Sequence, residues 1–95
     1  MSDDIEEIDN PPIPLRTPVE DSGESITEVQ VEELSIDQLE SRQSIKNDMK
    51  RSIANMSDAT GLSVAAVRQL KSYDFNRIAK RLGELGGLEE SEGED

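Results

Sequence analysis

The sequence predicts an α+β fold, with an N-terminal β-hairpin packed on three to four short α-helices between disordered acidic termini. Three observations predict it. Over residues 13–33 apolar and polar residues alternate around a glycine-containing turn, the period of a half-buried strand. From Ser35 onward the apolar spacing becomes three and four, the period of a helix with one buried face. Both ends of the chain are rich in acids and carry no apolar periodicity. The reading divides the chain into a disordered N-terminus at 1–11, one small domain at 12–87 (hairpin 13–33, helices 35–86) and a disordered tail at 88–95.

Pro11, Pro12 and Pro14 block helix propagation and favour an extended approach. Ile13, Leu15, Thr17 and Val19 then alternate with Pro14, Arg16 and Pro18, and two prolines confine such a strand to a sheet edge. Glu20 to Glu24 supply turn chemistry, with Gly23 able to take positive φ. Ser25, Thr27, Val29 and Val31 alternate again, which predicts pairing of about 13–19 with 25–33. A lone hairpin is marginal in water, so its apolar face needs a cover of helices or of another chain.

Ser35 with Gln38 three residues later forms a capping-box pattern and predicts a helix start. Ile45, Met49, Ile53 and Met56 fall on one helical face, and Gly61 is placed to cap it. Ser63 predicts the cap of a short helix carrying Val64, Val67 and Leu70. Ser72 or Asp74 begins the last helix, whose stripe is Phe75, Ile78, Ala79, Leu82 and Leu85, and Gly86 and Gly87 stop it. Val29, Val31, Ile53, Val67, Phe75, Ile78 and Leu82 are the expected common core.

Composition excludes several classes. A chain of 95 residues that is 33% hydrophobic holds at most one thin core. With no Cys and no His, thiol nucleophiles, imidazole bases, disulfides and the usual zinc sites are unavailable. No apolar run reaches the roughly 20 residues of a membrane span, and an acidic start is the opposite of a basic signal peptide, so a soluble intracellular protein is expected. The net charge of −12 is arranged in blocks, acidic to residue 40, basic over 42–81 and acidic from 84 to the end. Acidic ends repel nucleic acid and membrane surfaces, which makes a protein the expected partner.

Three constellations bear on chemistry. The carboxylate pairs Glu32 with Glu33, Asp37 with Glu40, and Glu89 with Glu90 have the donors for a hard cation or an acid and base pair, but no apolar surround separates two pKa values, so they read as solvated charge. Gly83, Gly86 and Gly87 follow a helix instead of opening one, so they read as a helix stop and not as a phosphate loop. The run from Ser57 to Leu70 is written like a helix-turn-helix, with Arg68 and Gln69 as base-contacting candidates. A DNA-binding regulator is therefore the alternative function, against which stand the acidic total and the lack of a basic arm.

The order of elements carries a family resemblance. Ile13-Pro14-Leu15-Arg16-Thr17-Pro18-Val19, then Gly23 to Val29 and Leu34 to Leu39, resembles the opening of the tail assembly chaperones of Mu-like contractile-tailed phages. Ala59-Thr60-Gly61-Leu62-Ser63, followed by Val67, Leu70, Tyr73-Asp74-Phe75 and Ile78, is similar to the close of that family. The resemblance spans residues 13–86. It implies a non-enzymatic, phage-encoded factor of the host bacterial cytoplasm that is not part of the mature virion. Its implied partners are the tape measure protein and, second to it, the tail tube protein, and it implies no cofactor, metal or nucleic acid. From the residues themselves, the thin core, the apolar hairpin face and two methionines on a helix face describe a module that completes its burial on a partner. Leu15, Val29, Val31, Met49 and Met56 are the expected partner-binding residues.

Overall fold

A computed structural model describes residues 9–86 of the chain. The expected disorder of residues 1–8 and 88–95 lies outside the described residues. The elements run β1 (Ile13–Asp21), β2 (Glu24–Val29), α1 (Ile36–Ser41), α2 (Asp48–Thr60), α3 (Val64–Val67) and α4 (Ser72–Gly86).

β1 and β2 form an antiparallel two-stranded sheet closed by Asp21 opposite Glu24. Ser22 and Gly23 make the turn, both at positive φ (56° and 84°), the backbone that a two-residue hairpin loop needs to match strand twist. Two features of the hairpin differ from the sequence expectation. The register is Ile13 to Val29 and Pro14 to Glu28, then Val19 to Ile26, so Leu15, Arg16, Thr17 and Pro18 bulge opposite Thr27 alone. The bulge changes which residues face inward, so partly buried Ile26 and buried Val29 point to the core, and not an unbroken odd-numbered set from Ser25. β2 also ends at Val29 instead of continuing to 33. Beyond it Val31 drops into the core, and the Glu32 N–H donates to the Ala59 carbonyl at 2.9 Å, so this segment crosses α2 instead of pairing with β1.

The outer edge of β1 is occupied by side chains. Arg81 donates to the Pro11 carbonyl and Arg77 to that of Pro14, while Asp74 accepts the N–H groups of Arg16 and Thr17. The Gln69 amide both accepts from the Glu20 N–H and donates to the Glu20 carbonyl, each at 2.8 Å. At the hairpin tip the Asp21 carboxylate accepts from the Ser63 N–H and hydroxyl, joining the strand end to the start of α3. An edge strand needs its backbone groups satisfied, and here α3, α4 and the loop between them do so.

The caps follow the sequence closely. Ser35 and Gln38 exchange both capping-box bonds. Gly61 closes α2 in the left-handed conformation, and the Ser63 hydroxyl accepts from the Ala66 N–H. The stretch from Ser35 to Gly61 is nevertheless two helices. The chain turns at Arg42, Asn47 starts α2 by accepting the Lys50 N–H at 2.9 Å, and Arg51 ties the turn by donating to the Ile45 carbonyl. Ile45 thus lies between the helices, and the buried face of α2 is Ile53, Ala54, Met56 and Ala59.

The core joins Ile13, Leu15, Val19, Val29 and Val31 to Ile53, Met56, Leu62, Val67 and Ile78. Hiding side chains such as Val31 and Ile78 completely from water stabilises the fold by about 1.5–3 kcal/mol each. Phe75 and Leu82, expected in that core, pack against it while half-buried. The sequence reading placed Asn10 and Pro11 in the disordered N-terminus, but both are engaged. Asn10 donates to the Val31 carbonyl at 2.7 Å, accepts from Gln30 on its own carbonyl and accepts from Arg81 on its side chain.

Candidate functional site

Among the described residues one concavity of about 430 Å³ stands out, and it is a groove between helices. Leu34 closes it above, α1 and its C-terminal turn form one wall with Leu39 and Gln43, Met56 and Asn55 of α2 lie beneath, and α4 supplies the other wall. The α4 wall starts at Phe75 and continues through Ala79, Leu82 and Gly83 to Gly86, about 16 Å of helix at 1.5 Å per residue. Its small residues 79, 83 and 86 follow helical spacing, so this face admits close approach.

α1 is the unusual wall. It spans six residues and buries none of them, and Ile36 at its first position is 70% exposed. An isolated helix that short is unstable in water, so its position depends on local ties. The capping box fixes its start. At its end the Arg42 guanidinium makes two parallel bonds to the Asp58 carboxylate, Nε to Oδ2 and Nη2 to Oδ1, both at 2.9 Å. The fork geometry sets the angle of α1 against α2 and leaves the apolar side of α1 over the groove.

The polar groups of the groove are few. Arg51 is committed to Asp48 and to the Ile45 carbonyl. Asn55 Oδ1 is shielded from solvent and accepts no hydrogen bond among the described residues. The Glu33 carboxylate lies across Gly86, in the space a β-carbon there would fill, with Oε2 2.6 Å from that position. The segment 32–40 carries Glu32, Glu33, Asp37 and Glu40 and no base, so the α1 side of the groove is acidic.

The five residues expected to meet a partner divide. Leu15, Val29 and Val31 are buried in the chain's own core, because α3 and α4 cover the hairpin face. Met56 is 2% exposed and contributes the groove floor. Met49, 60% exposed, is the one of the five with substantial surface, since the first turn of α2 carries no buried residue. Leu34, Leu39, Asn55, Ala79 and Gly83 were not foreseen. They are spread over three helices and the segment before α1, and the clearest signal in the sequence was the pair Leu34 and Leu39 within an otherwise acidic stretch.

The DNA-reading alternative loses its reader. α3 is a single turn of four residues, Arg68 is its C-cap, and both ends of the Gln69 amide bond the Glu20 backbone. The carboxylate pairs Glu32 with Glu33 and Asp37 with Glu40 are in no cluster of three or more potential metal ligands among the described residues, and Glu89 with Glu90 lies outside them. No described helix is long and apolar enough to cross a membrane.

Compared with known protein families, residues 12–86 match the family described as phage tail assembly chaperone proteins, E, or 41 or 14. Among curated proteins and among solved structures, none matches the chain.

Proposed function

The chain belongs to the phage tail assembly chaperone family, and from that membership we propose that it binds the tape measure protein, with the tail tube protein as a second partner, while the tube is built. In this reading it acts in the host bacterial cytoplasm, carries out no covalent chemistry and is left out of the mature virion. The observation that carries the reading is the family match, which runs through every described strand and helix. The physical task is to occupy apolar stripes on a long helical chain before tube subunits cover them, since such stripes otherwise associate with one another. A chain of net charge −12 suits it, because like charge keeps the complexes apart while apolar contact supplies affinity. The groove offers that contact, with Met49 as an accessory apolar surface.

Co-expression tests it. The tape measure protein should shift from the pellet to the soluble fraction and co-purify with this chain, and mass spectrometry of purified virions should find the tape measure protein without it. A tape measure protein that stays in the pellet whether or not this chain is co-expressed would overturn the assignment.

A further inference from the structure

We propose that the groove between α1, α2 and α4 seats one amphipathic α-helix of a tail protein, whose apolar ridge packs on Leu39, Met56, Phe75 and Leu82 and whose flank toward Glu33 and α1 carries lysine or arginine. The proposal rests on the chaperone reading for the source of the helix and on the groove for its chemistry.

Length selects a helix. The α4 wall extends about 16 Å, or three helical turns, and a ridge at positions i, i+4, i+7 and i+11 spans that distance. Shape agrees with length, because small residues at 79 and 83 let a second helix approach α4 closely while Phe75 and Leu82 bracket the ridge. α1 buries no residue against the rest of the chain, and a helix seated in the groove would cover its Leu39.

Charge then sets the orientation. Glu33, whose carboxylate has no ion-pair partner among the described residues, lines one side, and the segment 32–40 around it carries three further acids and no base. The groove's own base, Arg51, is already engaged by Asp48. A basic flank laid against that side gains attraction, whereas an acidic one meets like charge and is rejected.

Three fluorescent 18-residue synthetic peptides test this against the full chain by anisotropy. One has a leucine ridge with lysine flanks, the second has the same ridge with glutamate flanks, and the third is a scramble of the first with its charge kept. The lysine-flanked ridge peptide should bind at least tenfold more tightly than either other. Ala79→Glu, a substitution at an exposed helical position, should abolish that binding with the melting temperature retained. The double variant Glu33→Lys with Glu40→Lys should reverse the preference toward the glutamate-flanked peptide. Equal binding of the scramble would reduce the effect to bulk charge and overturn the groove. Equal binding of the two ridge peptides, or no reversal in the double variant, would overturn the basic flank.

Failure of this proposal is separable from failure of the chaperone reading. If the Ala79→Glu variant loses the peptide yet still keeps the tape measure protein soluble, the groove is not the docking site and the chaperone reading stands. If wild type binds the lysine-flanked peptide but never solubilises the tape measure protein, the chaperone reading falls and the helix-binding groove stands.

Discussion

The carboxylate of Asp74 accepts the backbone N–H of Arg16 at 3.1 Å across 58 residues of chain. Its second oxygen takes the N–H of Thr17, also at 3.1 Å, and Arg77 approaches from the same helix at 3.3 Å. These two N–H groups lie in the bulge of β1, where β2 has only Thr27 to offer against four residues. The next residue, Pro18, has no N–H to satisfy. One buried side chain thus completes the hydrogen bonding of a distorted strand and locks α4 to the hairpin. The Arg16 guanidinium strengthens the same joint by lying over the Tyr73 ring, 3.8 Å from its centroid.

Burial alone pushes the Asp74 carboxyl up, but the Arg16 and Thr17 N–H groups and the Arg77 guanidinium outweigh it and hold the group below the ordinary aspartate value of 3.8. A carboxylate whose folded pKa is depressed contributes stability that is fully present above its unfolded pKa and lost as pH falls through the folded one. Asp74→Asn should therefore cost about 2 to 4 kcal/mol at neutral pH, since one N–H then faces an amide donor instead of an acceptor. Chemical denaturation at stepped pH should show the gap between wild type and variant closing below pH 3.8. A constant gap down to pH 2 would mean that Asp74 acts by shape and not by charge.

Ile78 and Phe75 lie one turn apart on α4 with different burdens. Ile78 is fully buried in the core, whereas Phe75 is half-buried on the groove wall. Ile78→Ala should cost about 3 to 4 kcal/mol, and Phe75→Ala less, about 2 kcal/mol, because the groove already gives part of its ring to solvent. Denaturant midpoints at constant slope measure both. A larger loss for Phe75 would show that its ring closes the core.

Local signals in this chain were legible because each is written within four residues. Ser35 with Gln38, Gly61 and Ser63 name their own caps, and the inward Ile13, Leu15 and Val19 follow from a period of two. The bulge was not legible, because it arises from what Asp74, far along the chain, offers to Arg16 and Thr17. Asp74 itself reads as a helix start in sequence, which is the commonest use of an aspartate there. The helix break at Arg42 was hidden for the same reason, since Ile45 keeps the helical spacing while Asn47 and the pairing of Arg42 with Asp58 redirect the chain. The groove belongs to this second kind. Its residues come from three helices and the segment before α1, so periodicity along any one helix shows a stripe and not the concavity that the stripes enclose.

Asn10 ties three segments by accepting from Arg81 and Gln30 and donating to Val31. Asn10→Ala should cost about 1 to 2 kcal/mol, because the Val31 carbonyl then loses its donor. It should also speed amide exchange in the segment that joins β2 to α1. Thermal melts and hydrogen exchange check the two effects, and a silent substitution would place the N-terminal anchor at Arg81 and the Pro11 carbonyl instead.

The tie between Arg42 and Asp58 should control α1 far more than it controls the fold. α1 buries no residue, so removing the tie exposes no core and leaves the other elements their contacts. The Arg42 side chain is 38% exposed, so solvent screens the pair and its net contribution to the fold is small even with two parallel bonds. Asp58→Asn should accordingly lower global stability only slightly. The local consequence should be larger, because a six-residue helix held at one end alone opens without unfolding anything else. Hydrogen exchange by mass spectrometry should show the amides of residues 36–43 losing protection in the variant while those of α4 keep theirs, and raising salt should move wild type in the same direction. Loss of protection throughout the chain would mean that α1 supports the core, and unchanged protection at 36–43 would mean that the capping box holds the wall unaided.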